Sequence, residues 1–260
     1  MKLSFSTKGW HNNSFDDFCD IAVDLGFGGI ELHNVNNRLF TDKDGAFHDY
    51  TAAATARRLY EKNLSIPCID VLCDIGADDK KDTAVEEFYK CVNIASNLNI
   101  PAIRVKSEKS DDFDTAQENV IAFVQKVLPT AYDKNITILI ETAGLFCKTS
   151  KLRDVLDQFA SDNLAALWNM SAAYFEGGED AEEIIKNLGA YVKHVHINDA
   201  IKTDNGIEFC LIGEGELPIS DMMLALRSVN YDGFVSLVWD PTWCDELNDM
   251  DIIFFQHFLW

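Results

Sequence analysis

The stretch Tyr191-Val-Lys-His-Val-His-Ile-Asn-Asp199 gathers two imidazoles, an amide and a carboxylate within six residues. Val192, Val195 and Ile197 supply the β-branched bulk of a strand, and successive strand side chains point to opposite faces. Period two therefore sets His194 and His196 side by side, with Asn198 and Asp199 where the strand opens into a loop. A lone buried histidine is ordinarily a hydrogen-bonded core residue. Two on one face, followed by an aspartate, point to a site. A second candidate is Glu141, which ends the apolar run Ile136-Thr-Ile-Leu-Ile-Glu141, the pattern of a strand delivering a reactive side chain at its tip.

Those two strands belong to a longer series. Strand patterns begin near residues 3, 29, 64, 100, 136, 164, 192 and 234. Amphipathic helix patterns lie between them, over 14–25, 52–59, 83–98, 115–132, 151–159, 180–188 and 220–229, and a last one covers 249–259. Ser14, with Asp17 three residues on, reads as the first helix start. The third strand is read as Leu64–Asp70, with Pro67 awkwardly inside it. Eight alternations in 260 residues predict an α/β chain forming a single (β/α)₈ barrel over 1–260. A doubly wound open sheet is the alternative, but no G-x-G-x-x-G follows the first strand. In such barrels the site lies at the C-terminal strand ends. The sequence places Trp10 and His11, His33, Asp70, Lys106, Glu141, Asn169, the His194–Asp199 group, and Val238, Trp239 and Asp240 there. Glu31 reads as a strand-end salt-bridge partner, and Gly213-Glu-Gly-Glu216 as a turn whose amides could approach a ligand.

Composition narrows the function. Forty-three acidic against 22 basic residues give a net charge of −21, which repels nucleic acid and anionic membrane surfaces. A small anionic substrate remains compatible, because a pocket can be locally basic. Seven cysteines, none in a C-x-x-C pair, fit reduced thiols and a cytoplasmic location better than a disulfide framework. The N-terminal residues lack the apolar core of a signal peptide, and no run approaches a membrane span. The apolar end Ile252-Ile-Phe-Phe-Gln-His-Phe-Leu-Trp260 raises the expectation of a fused or partner domain.

Five pieces in order carry a resemblance: Gly28-Gly-Ile-Glu-Leu32, Ile138-Leu-Ile-Glu141, Lys193-His-Val-His196 with Asn198-Asp199, Gly213-Glu-Gly215, and Tyr231-Asp-Gly-Phe-Val-Ser-Leu237. They resemble the sugar isomerase/epimerase family with the xylose-isomerase-like TIM barrel. The resemblance implies a small carbohydrate or sugar phosphate as substrate. It also implies a divalent Mn, Mg or Zn ion held by a Glu, an Asp, a His and a Glu from strands five to eight. The two glutamates of that set move a proton beside a carbonyl while the metal stabilises the enediolate. Here Glu141 and His196 match, Asn169 stands where the family has Asp, Ala172 where many members have a further His, and Val238 where the last Glu belongs. Hard cations want anionic oxygen, so the expected cofactor is none, or a weakly bound divalent metal on Glu141, His196 and Asn169. Glu141 is the expected catalytic base. With no Glu at 238, its counterpart would be His33, Lys106, His194, Asp240 or water. Trp10, His33, Lys106, His194 and Asp199 are the expected substrate contacts. The implied function is that of a sugar (phosphate) isomerase or epimerase with an incomplete metal site; the alternative is a non-catalytic sugar-binding, regulatory or scaffold domain.

Overall fold

The structure is a computed structural model that describes residues 1–33, 42, 45–204 and 206–259. Eight parallel strands carry the fold: β1 (Lys2–Ser6), β2 (Gly29–Glu31), β3 (Ile69–Asp74), β4 (Ala102–Lys106), β5 (Thr137–Glu141), β6 (Leu164–Asn169), β7 (Val192–Ile197) and β10 (Phe234–Leu237). They pair in the order β2-β1-β10-β7-β6-β5-β4-β3, and single bridges Gly29–Ser65 and Leu32–Ile69 join the two end strands. This is a closed (β/α)₈ barrel. Its helices are α1 (Phe15–Leu25), α2 (Ala52–Glu61), α3 (Lys81–Leu98), α4 (Phe113–Asp133), α5 (Thr149–Phe159), α6 (Ala181–Leu188), α7 (Ile219–Ser228) and α8 (Met250–Leu259). Among the described residues no helix is long and apolar enough to cross a membrane.

Period two divides each strand between two environments. Ile103 and Val105 of β4, and Ile138 and Ile140 of β5, join the large apolar core beneath the helices. The alternate positions Cys68, Ala102, Leu139, Ala165 and Leu167 form a separate small cluster inside the barrel. Two residues further along the same inward series come Asp70, Arg104, Glu141 and Asn169. Barrel interiors are ordinarily filled with branched apolar side chains. This one changes from hydrocarbon to charge half-way up.

Two departures from the sequence reading have local causes. The third strand runs over Ile69–Asp74, not Leu64–Asp70. Pro67 has no N–H to offer a ladder, so the β2–β3 seam is reduced to isolated bridges. The strand then bulges between Asp70 and Asp74, and the amides of Leu72 and Cys73 donate to Glu87 of α3 at 2.9 Å each. The second departure follows the histidine strand, which ends at Ile197. Asp199–Thr203 (β8) and Gly206–Cys210 (β9) form an antiparallel hairpin. The start of α1 is as read: Ser14 Oγ accepts from the Asp17 amide, and the Asp17 carboxylate accepts from the Ser14 amide.

Candidate functional site

The charged half of the interior opens at the C-terminal strand ends into a cavity of about 360 Å³. Its walls include His33, Lys106, Glu141, Asn169, His196 and Val238. A larger cavity of about 590 Å³ lies at the opposite end, where the strands begin, lined largely by apolar residues such as Leu64, Pro67 and Phe234. The convergent polar groups belong to the smaller one.

A chain of buried ionic hydrogen bonds crosses the barrel beneath that mouth. Glu31, with no exposure, accepts from His194 Nε2 at 2.6 Å and from His196 Nε2 at 2.8 Å. His196 Nδ1 faces Glu141 Oε1 at 3.1 Å, and Asn169 Nδ2 donates to the same oxygen at 2.9 Å. Arg104 Nε donates to Glu141 Oε2 at 2.9 Å, Nη2 joins it, and Nη1 lies 3.7 Å from Asp70 Oδ2. Asp70 Oδ2 in turn holds His33 Nδ1 at 2.6 Å.

Electrostatics follows from these contacts. Burial alone would push the Glu141 carboxyl up, but the Arg104 guanidinium and the hydrogen bonds from His196 and Asn169 hold it well below the usual carboxylate range. Burial likewise opposes charge on His196. The Glu31 carboxylate and bonds to Glu141 and Glu31 overcome it and raise the imidazole to about 10. His196 therefore carries both ring protons, each facing a carboxylate. Burial opposes charge on Glu31 as well, and His196 and His194 reverse it, holding Glu31 well below its ordinary value.

The expected site residues divide into two groups. His33, Lys106, Glu141, Asn169, His196 and Val238 meet at the mouth. Trp10, His194 and Asp199 are not in its wall. Trp10 is buried edge-on against Phe254 of α8, 6.0 Å between centroids. His194 sits lower in the barrel, on Glu31. Asp199 accepts four backbone amides, from Ala200, Gly213, Gly215 and Leu217, at 2.9–3.1 Å. It thereby takes up the amides of the Gly213–Glu216 turn that could otherwise have met a ligand. The sequence reading missed Arg104, Lys8 and Trp243. Arg104 lies one inward step before Lys106, a signal that period two already contained.

The residues corresponding to the family's metal ligands do not fit a metal. Both oxygens of Glu141 are engaged, one by a guanidinium. Asn169 Oδ1 accepts from Ser171 Oγ and the Ala172 amide, and Val238 has no donor atom. Among the described residues one other set has suitable atoms, Glu31, His194 and His196, whose ligand atoms lie within 4.8 Å of one another. Its two Nε2 atoms both face the Glu31 carboxylate.

Comparison with known families matches residues 19–250 to the xylose isomerase-like TIM barrel. The chain belongs to that family. No curated protein matches its sequence. Among solved structures, the probable 3-DHS dehydratase AsbF from Bacillus anthracis superposes with a TM-score of 0.80 at 19% identity, covering 100% of this chain and 98% of that one. A D-psicose 3-epimerase in the presence of D-fructose gives 0.77 at 15%, covering 100% and 97%. The IOLI protein with a binding zinc atom gives 0.82 at 14%, covering 99% and 95%. At these identities the likeness establishes the fold, and the family's xylose-isomerase-like barrel is the frame for its site.

Proposed function

We propose that this xylose isomerase-like barrel binds a small carbohydrate at its C-terminal mouth, without the divalent cation that the family resemblance implied. The observation that carries this reading is the state of Glu141. Its two oxygens are saturated by Arg104, His196 and Asn169, and Val238 replaces the opposing carboxylate. A fixed guanidinium and an imidazolium supply the positive charge at the mouth.

The cavity wall has the chemistry of a polyol site. Asp70 Oδ1, Ser107 Oγ and Asn198 Oδ1 belong to wall residues, are buried, and find no hydrogen-bond partner among the described residues. Buried polar atoms are normally paired, so groups left open beside a cavity suit hydroxyls from a ligand. Phe209 and Trp243, stacked at 4.0 Å, give the wall an apolar side. All seven cysteines are unbridged, which suits a reducing compartment.

Calorimetry against aldoses, ketoses and their phosphates, in the presence of EDTA, tests the reading. The expected result is saturable binding unaffected by EDTA and weakened by Asn198→Ala. Binding that appears only after Mn²⁺ or Zn²⁺ is added would refute it.

A second reading, metal-free isomerisation, is favoured by His33. Its Nδ1 is tied to Asp70, and its backbone N–H and carbonyl are both bonded to Thr7 Oγ1. A carboxylate on Nδ1 leaves the other nitrogen able to take a proton. Deuterium uptake from D₂O into a bound sugar, lost in His33→Asn, would support it; no uptake into any ligand that binds would leave the binding role alone.

A further inference from the structure

Among the described residues that line the mouth, Lys8 is a cation that the ionic network does not use. It follows β1 on the inward series Ser4, Ser6, Lys8, and it lines the cavity together with His33, Asp70, Arg104 and Lys106. Lys106 is paired with Glu108, and Arg104 with Glu141. Among the described residues, no carboxylate oxygen lies within 4.0 Å of Lys8 Nζ. Its ammonium stands instead 4.3 Å from the centroid of the Trp243 ring. The nearby Asp240 is occupied, accepting from the Thr242 amide at 3.1 Å and its hydroxyl at 2.7 Å.

We propose that Lys8 is a carbonyl-capturing amine, forming an imine with the open-chain aldehyde or ketone form of a small sugar held at the mouth. The inference rests on the carbohydrate reading above. A lysine becomes nucleophilic at neutral pH when it is desolvated, lacks an ion-pair partner and sits near other cations. Lys8 is half-buried, has no ion-pair partner among the described residues, and shares the cavity wall with Arg104 and Lys106. Burial lowers its pKa, Arg104 and Lys106 push the same way, and Asp240 and Glu141 oppose them without reversing the direction. The indole face of Trp243 favours the ammonium, and burial opposes it.

The step balances without a metal. Nζ, as the neutral amine, adds to the carbonyl carbon and forms the C–N bond. The carbonyl oxygen leaves as water with the two amine protons, and uptake of one proton gives the iminium. The iminium draws electrons from the adjacent carbon, the service that a Lewis-acidic metal gives a carbonyl. The ring of His33, fixed by Asp70, lines the same cavity and can receive the α-proton.

The test is competitive reductive labelling of the intact protein with dihydroxyacetone and cyanoborohydride at pH 7, with each lysine quantified by peptide mass spectrometry. Hydride addition to an imine carbon leaves a stable secondary amine at the lysine that formed it. The expected result is labelling of Lys8 at least tenfold faster than the median lysine, suppressed when a sugar that binds in calorimetry is present. The Lys8→Arg protein, checked for folding by circular dichroism, should lose the fast adduct and keep the slow ones. Labelling of Lys8 at or below the median rate would overturn the proposal, whether or not sugars bind. Fast labelling of Lys8 with no sugar bound in parallel calorimetry would overturn the carbohydrate reading alone.

Discussion

Replacing Arg104 with Met removes a guanidinium that pairs with two buried carboxylates. Glu141 is 3% exposed and Asp70 1%, and Arg104 itself is 8% exposed, so water cannot substitute freely. Breaking a buried pair by deleting one partner costs about 3–5 kcal/mol, because the remaining charge is uncompensated. At about 2.1 cal/mol/K per residue, the 260 residues give an unfolding entropy of roughly 0.55 kcal/mol/K, so Tm should fall by about 5–9 °C. The penalty comes from stranded charge rather than lost volume. Arg104→Met combined with Glu141→Gln and Asp70→Asn should therefore recover most of it, since neutral groups are cheaper to bury. Urea unfolding followed by circular dichroism, with the slope held constant across the variants, measures both differences. A loss below about 1 kcal/mol in Arg104→Met would refute the argument, because a pair this weak would behave as an exposed one. A triple variant no more stable than the single would refute it as well, by locating the cost in packing.

Other expectations follow from the same geometry. Asp199→Ala removes the acceptor of four backbone amides, of which those of Ala200 and Leu217 are buried, and should cost at least about 2 kcal/mol in urea unfolding. Gly215→Ala should destabilise the same turn, since a Cβ there would stand 2.1 Å from Asp199 Oδ1 and 2.6 Å from the Ala200 carbonyl oxygen. Burial pushes the His257 imidazole down to about 4 from 6.5, and the approaching Val235 and Ser4 backbones offset only part of that. A lowered folded pKa means that this contribution is present above about pH 6.5 and is lost as pH falls toward 4. The loss is about 3 kcal/mol, and His257→Leu should flatten that segment of the stability–pH curve.

The barrel was legible because the strands other than the third, and the helix faces, follow elementary periodicity, and His194 and His196 do share a face, on Glu31. The third strand was misplaced because two non-local facts fix it: the missing N–H of Pro67, and the Glu87 carboxylate that supports its bulge. The β8–β9 hairpin had a local signal, Asp204-Asn-Gly206, of the kind that favours tight hairpin turns. Asp199 reads as a ligand residue in sequence because the amides it gathers beyond its own turn lie 14–18 residues away. Arg104 differs in that it is not at a strand tip: the inward series continues one step down from each tip. That step is where the guanidinium meets Glu141.

The most direct test of a guanidinium in the metal's place is Mn²⁺ titration by calorimetry at low temperature, on three folded proteins. These are the wild type, Asn169→Asp/Val238→Glu, and that pair combined with Arg104→Met. The expected result is no binding by the wild type, little by the double variant because Arg104 still holds Glu141, and clear binding once the guanidinium is removed. Tight Mn²⁺ binding by the wild type at Glu141, seen as its loss in Glu141→Gln, would contradict the central claim outright.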